Sequence, residues 1–474
     1  MKPRFRSLAA RVAPFAGVVF FCSFQSLQAA SGVWTGTTSG GNWSDTANWS
    51  GGTVADGSGS LADFTTLDLP AGAFTVNLDS ARTIGSLSFN DTDGATAGTW
   101  TVSGANTLTL AGTPVITTGV NATISSVVAG TSGFGKSGSA NLILTNANTI
   151  SGAISVSAGQ LTTKNGGALG TSTLALANGA IYRFERTTGN VFTFVGNAIS
   201  VGSAATAIIT SDNAGNGCFG AISGAANASF QIGNTGALTQ VSLSANNNVR
   251  QFENFAGTVE IFDGASVRFS ASNTLNNGGL DATFDTNTSG TITTRNNGTM
   301  NLGALTGNGT VTMGSSGSNN AWLTYNIGAK GTDTTYGGRI LDGDTVNGKR
   351  VAINKVGAGS LKLTSATDLT YSGTTNVNEG TLIVNGAKSG TGANNINVNG
   401  TLSGSGSLAG TTTVANGGTL EPGDAGSGNL TLANATFATG STIKLGATPS
   451  TNKVVIGTGS TITLNSGISV DVNG

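Results

Sequence analysis

The amino-acid sequence predicts an all-β solenoid, a parallel β-helix with coils of about 20 residues. Three observations predict it. Apolar residues alternate with Thr, Ser or Asn, as in NTLTLAG from Asn106 and NLTLAN from Asn429, which is the period of a half-buried strand. The triplet Gly-Thr-Leu begins at Gly380, Gly400 and Gly418, and Gly-Ser-Thr-Ile begins at Gly440 and Gly459. Charged residues make up only 9% of the chain, against the roughly 25% of ordinary soluble domains, while 74 of 474 residues are Gly.

A mark repeated at such a spacing suits stacked coils, because each coil sets the same apolar residue on its predecessor and the same Gly at the same corner. Asn399-Gly400 and Gly417-Gly418 sit beside the marks, where the chain must turn. Twenty residues at ~3.3 Å make a loop of roughly 65 Å, enough for three short strands and three corners. Only 6 Pro residues are present, which excludes collagen despite the Gly content. Low charge combined with 38% hydrophobic residues favours order over disorder.

Residues 1–29 read as a secretory signal peptide. Lys2, Arg4, Arg6 and Arg11 give a basic start, Val12 to Phe24 is an apolar run, and SLQAAS offers small residues for cleavage after Ala29. As a helix the apolar run would span roughly 20 Å, too short for a ~30 Å hydrocarbon core. Cleavage would leave 17 basic residues against 22 acidic ones and Cys218 as the single cysteine, so no intrachain disulfide is expected.

Residues 30–115 are expected to form a Trp-bearing N-terminal cap and the first coils. Trp34, Trp43 and Trp49 fall within sixteen positions. An open solenoid end exposes apolar core and strand edges, and large side chains can cover it. Were the rings exposed, they could instead stack on sugars, so the same three residues are the carbohydrate-binding candidates.

Residues 116–474 are expected to be β-helix repeats continuous with the cap region. GSANLILTNANTISGAISVSAGQL (138–161) and GAGSLKLTSATDLTYSGTTNVNEGTL (357–382) align. Leu142 and Leu144 fall on Leu361 and Leu363, and Lys136 on Lys355. Ser151-Gly152 falls on Ser372-Gly373 after a two-residue insertion, then Gly159 and Leu161 fall on Gly380 and Leu382.

On these residues the chain resembles the autotransporter-associated β-strand repeat family, also called PATR. Lys355, Gly357, Gly359, Leu361, Leu363, Tyr371, Ser372, Gly373, Thr375, Val377, Gly380, Thr381 and Leu382 fit its pattern. The upstream copy departs at Ala140, Ile150 and Gln160. Segments 404–423, 33–52 and 82–91 are similar in character, whereas roughly 175–300 matches only in texture. The resemblance implies a right-handed parallel β-helix, passenger-like, on a bacterial protein that is exported to the cell surface or the extracellular medium. Members of the family often end in a membrane barrel or a sorting tail. The sequence shows neither, which suggests a fragment or a released protein, with no transmembrane segment in the mature chain.

The chain contains 0 His, which excludes a Ser-His-Asp triad, His-ligated zinc and imidazole acid–base catalysis. Asp342 and Asp344, near Arg339, Lys349 and Arg350, form the densest charged patch. Paired carboxylates there could act as acid and base or hold Ca²⁺, against the simpler expectation of a solvated loop. Asp263, Asp281 and Asp285 come nearest to a set of acids converging from successive coils. Asp91-Thr92-Asp93-Gly94 lacks the third acid and the closing Glu of a Ca²⁺ loop. No cofactor is expected, calcium being the one possibility. No basic stretch could track a phosphate backbone, so nucleic acid is excluded as a partner. The functional expectation is a non-catalytic rod, structural or adhesin-like, facing extracellular matrix, glycans or neighbouring surface proteins. The alternative is a β-helix protein that binds or degrades polysaccharide.

Overall fold

The computed structural model describes residues 29–94, 98–185, 196–211, 220–233, 241–243, 251–269, 277–294, 297–313, 322–343, 345–446 and 452–473. The segment expected to be a signal peptide, except Ala29, lies outside the described residues, as do Cys218 and Asp344.

Every ladder between named strands is parallel. One sheet begins at Gly32–Val33 and passes through Leu61–Phe64, Arg82–Phe89, Thr107–Thr118 and Phe134–Ser137 to Asn254–Phe255. A second runs from Gly41–Asn42 to Ile462–Leu464. A third face is built downstream from Thr334–Tyr336 through Gly380–Val384 to Ser469–Asn473. Parallel neighbours in sequence require a crossover, and here the rest of the coil is the crossover. Helix among the described residues is limited to short 3₁₀ turns such as Thr46–Asn48 and Ser50–Gly52.

The expected Gly-Thr-Leu ladder stacks in register. Thr381 pairs Thr401, which pairs Thr419, and Leu382, Leu402 and Leu420 follow one level apart. Thr442 and Ile443 continue it. The last copy departs: Ile462 pairs Ala435 on another face, and Val470 takes the place beside Ile443. Sequence spacing alone could not see that the final coil lengthens and hands its Thr-Ile to a different sheet.

Coil length varies more than a fixed twenty. Register partners stand 18 residues apart at Thr401 and Thr419, 20 at Phe134 and Ile154, and 31 at Ser223 and Asn254. The average is near 23. Leu142 pairs Leu161 and Leu361 pairs Leu382, so each repeat copy spans one coil. The downstream coil is two residues longer, which is the insertion visible in the alignment.

Inward residues alternate with outward ones, as the buried–intermediate pattern of Leu61–Phe64 and Gly98–Ser103 shows. The core is a column of Leu, Ile, Val and aromatic side chains. The matched glycines are explained by close approach. A Cβ on Gly152 would stand 2.2 Å from Gly133 N, and one on Gly373 2.3 Å from Val351 O. Gly159 and Gly380 share φ +67°, a left-handed corner that favours Gly.

Candidate functional site

Lysines brace three corners from inside. Lys136 is fully buried, and its Nζ donates to the carbonyls of Ser137, Gly138, Ala140 and Ala158 at 3.1, 2.6, 2.7 and 2.9 Å. Lys355 donates to Val356, Gly357 and Glu379 at 2.9, 2.6 and 3.1 Å. Val356, Gly357 and Glu379 occupy the positions of Ser137, Gly138 and Ala158 in the other copy, so the two repeats build one corner twice. In both, the last acceptor belongs to the next coil, which ties two levels together.

Lys388 forms a third such corner. Its Nζ donates to Gly390 and Gly392 at 2.7 and 3.0 Å and lies 5.2 Å from the Tyr371 ring centroid. Sequence reasoning missed it, although Lys388-x-Gly390-x-Gly392 repeats the Lys355-x-Gly357-x-Gly359 spacing. Burial pulls all three ammonium groups down to about 8. Carbonyl acceptors favour the charged form but do not replace bulk water. These lysines point inward at backbone, so their chemistry is structural.

A second polar device was also missed. Asn301, Asn326, Asn354, Asn376 and Asn395 stack in register on successive coils. Each side-chain amide donates to the previous Asn oxygen, at 3.0, 2.9, 2.8 and 2.8 Å. Such ladders satisfy donor and acceptor together. In a chain so rich in Asn, no local signal distinguished these five.

The predicted site residues sit as follows. Trp34 and Trp43 are 0% exposed and Trp49 is 2% exposed. All three pack around Phe64, with ring centroids 5.5–5.9 Å from it. Each indole N–H is satisfied, by Gly36, Ala55 and Trp43 carbonyls respectively. No ring face is open to a sugar. Among the described residues, strand Gly32–Val33, which ends just before Trp34, pairs with Leu61–Phe64 and lies at the edge of its sheet.

Asp342 accepts backbone N–H groups: Val351 at 2.8 Å through Oδ1, and Ser372 at 3.1 and 3.0 Å through both oxygens. It fastens a loop to the next coil, and its lone pairs face amides. Of the basic residues named with it, Arg339 pairs with Asp368 at 3.5 Å and Arg350 lies over Trp322 at 5.2 Å. Asp263 accepts from Thr288 and Ser289 N–H, and Asp285 from Asn287 N–H, so both hold turns.

An unexpected cluster gathers near the N-terminal end. Asp68, Asp91 and Asp93 place one carboxylate oxygen each within 4.8 Å of one another. The fold supplies to Asp91-Thr92-Asp93-Gly94 the third acid its sequence lacks, from the preceding coil.

The family profile described as passenger-associated-transport-repeat matches residues 134–167 and 353–384. The chain is 31% identical over 297 residues to "Adhesin BmaC autotransporter" of Brucella suis biovar 1 (strain 1330), covering 57% of this chain and 8% of that protein. It thus spans under a tenth of that relative's length. A solved structure of a TibC-catalyzed hyper-glycosylated TibA fragment aligns over 84% of this chain and 100% of that one, at 15% identity and TM-score 0.21. The two stretches that match the profile are each built as one coil around an inward lysine, so this chain carries two repeats of the PATR type.

Proposed function

We propose that this chain is an exported, non-catalytic rod, displayed on a bacterial surface or secreted, that makes adhesive contacts along its sides. The observation that carries the reading is the 31% identity to an adhesin autotransporter across 297 residues. The surface is consistent with it. Outward positions form in-register files of small polar residues, such as Thr75, Thr101 and Thr123. A long, weakly charged, repeating side offers many similar contacts, which suits avidity more than a single preorganised centre. Extracellular matrix, glycans and neighbouring surface proteins are the partner classes such a side would meet. Among the described residues no helix is long and apolar enough to cross a membrane, which says nothing of strands.

The test immobilises the purified chain and probes it with matrix proteins, glycans and bacterial cells. In parallel, the chain is incubated with acidic and neutral polysaccharides. Saturable binding without new reducing ends or unsaturated products is expected. Polysaccharide cleavage that disappears in Asp342→Asn would establish the degrading alternative instead. Failure to bind any probe or cell would remove the adhesive reading.

A further inference from the structure

We propose that Asp68, Asp91 and Asp93 form a divalent-cation site, suited to Ca²⁺, at a corner of the first coils. Asp91 carries the argument. It is 5% exposed, and its Oδ2 has no hydrogen-bond partner. Its Oδ1 accepts the Leu69 N–H at 3.0 Å, which fixes the carboxylate beside the segment bearing Asp68. Thr92 N donates to Leu67 O at 3.1 Å, drawing the same two segments together. A buried carboxylate oxygen left unpaired is costly, and a bound cation would supply the missing partner.

Gly98 packs against that buried oxygen. A Cβ on Gly98 would stand 3.1 Å from Asp91 Oδ2 and 2.5 Å from Leu69 Cβ, so this corner requires Gly. Like charge accumulates there. The Asp68 carboxyl is raised above its ordinary range, first by the charge of Asp93, then by burial and by Asp91. Three acids in one place need either a shared proton or a cation.

Donor chemistry and spacing choose the ion. All three donors are hard carboxylate oxygens, which suit Ca²⁺ or Mg²⁺ over softer metals. At Ca²⁺–O distances of ~2.3–2.6 Å, oxygens on opposite sides of one ion stand up to ~5 Å apart. Oxygens within 4.8 Å of each other therefore fit around one Ca²⁺. Mg²⁺, at ~2.0–2.1 Å, demands a tighter set. A bound ion would join Asp68 to the Asp91–Asp93 turn and so tie two coils together.

The experiment uses the full chain, stripped with EDTA and dialysed, at pH 7. Thermal unfolding is followed as CaCl₂ or MgCl₂ is added, with calorimetric titration of CaCl₂ in parallel. We expect a saturable rise in melting temperature with Ca²⁺, at a midpoint of about 0.1–1 mM as in extracellular modules, and a weaker response to Mg²⁺. Asp91→Asn keeps an acceptor for Leu69 N–H, and Asp68→Asn changes an exposed residue, so both variants should fold. Each should lose at least tenfold in Ca²⁺ affinity. Absence of any Ca²⁺ response in the parent chain would overturn the proposal. So would a response that both variants retain. A parent chain that ignores Ca²⁺ but gains stability on mild acidification would show a shared proton instead.

Discussion

Long coils and short coils in this solenoid are held by different means. Register partners lie 30 residues apart at Gly32 and Ala62, and 29 apart at Ser229 and Thr258. In both regions aromatic rings fill the interior: Trp34, Trp43, Trp49, Phe64, Phe89 and Trp100 in the first, and Phe252 against Phe230, Phe255, Phe269 and Phe284 in the second. Short coils, 18–21 residues around the repeat copies, stack Leu on Leu and Leu on Thr-flanked Leu. Their corners rest on Lys136, Lys355 and Lys388. The difference teaches that a coil can be closed by ring packing or by an internal ammonium gathering carbonyls. A short coil leaves its corner carbonyls converging, and a long flexible donor reaches several of them at once.

The comparison breaks most visibly at the rings. Trp43→Ala or Phe252→Ala should cost about 3–5 kcal/mol in chemical denaturation, because each leaves a large cavity. Full stability in Trp43→Ala would show that the N-terminal rings do not close that end. Next come the corners. Lys136→Met keeps much of the side-chain volume but removes the donor from four carbonyls, and should cost about 2–3 kcal/mol. Lys355→Met should behave alike, since three of the acceptor positions are shared. An unchanged stability for both would mean that glycine geometry alone shapes these corners.

Smaller effects sharpen the picture. Asn354→Ala interrupts the amide ladder between two neighbours and should cost about 1–2 kcal/mol. Asn395→Ala, at the ladder's end, should cost less. Equal losses would show that the amides act singly.

The buried lysines and tyrosines also set a pH dependence. Lys136, Lys355 and Lys388 are lowered to about 8 in the folded chain, below their unfolded value of ~10.4. Between these values the unfolded chain binds more protons, so stability should rise with pH from about 8 towards 10. Burial raises Tyr182, Tyr325, Tyr336 and Tyr371, so their contribution is present below ~10 and is lost above it. Melting temperature against pH should therefore peak near pH 10, and the Lys→Met variants should flatten its rising limb.

These devices were unequally legible in the sequence. Alternation and the Gly-Thr-Leu mark gave the strands, the parallel stack and the coil scale, because each is a local pattern that coil stacking repeats. Lys136 and Lys355 were visible as matched letters, but their inward direction was not. Nothing in composition suggests that a lysine faces a core. Asp68 could not be joined to Asp91 and Asp93, because variable coil length hides which residues share a corner. The Trp rings were legible as a cluster, but their burial around Phe64 was not.

The central claim is that the chain is a stack of registered, separable coils. It is tested most directly by deleting one coil. Thr381 stands directly above Thr401, so removing residues 381–400 joins Gly380 to Thr401 in register and brings every later coil up one level. Removing residues 381–390 alone puts the same chain half a coil out of register. The account predicts cooperative thermal unfolding within a few degrees of the parent for the twenty-residue deletion, and loss of cooperative folding for the ten-residue deletion. Equal damage from both would contradict it.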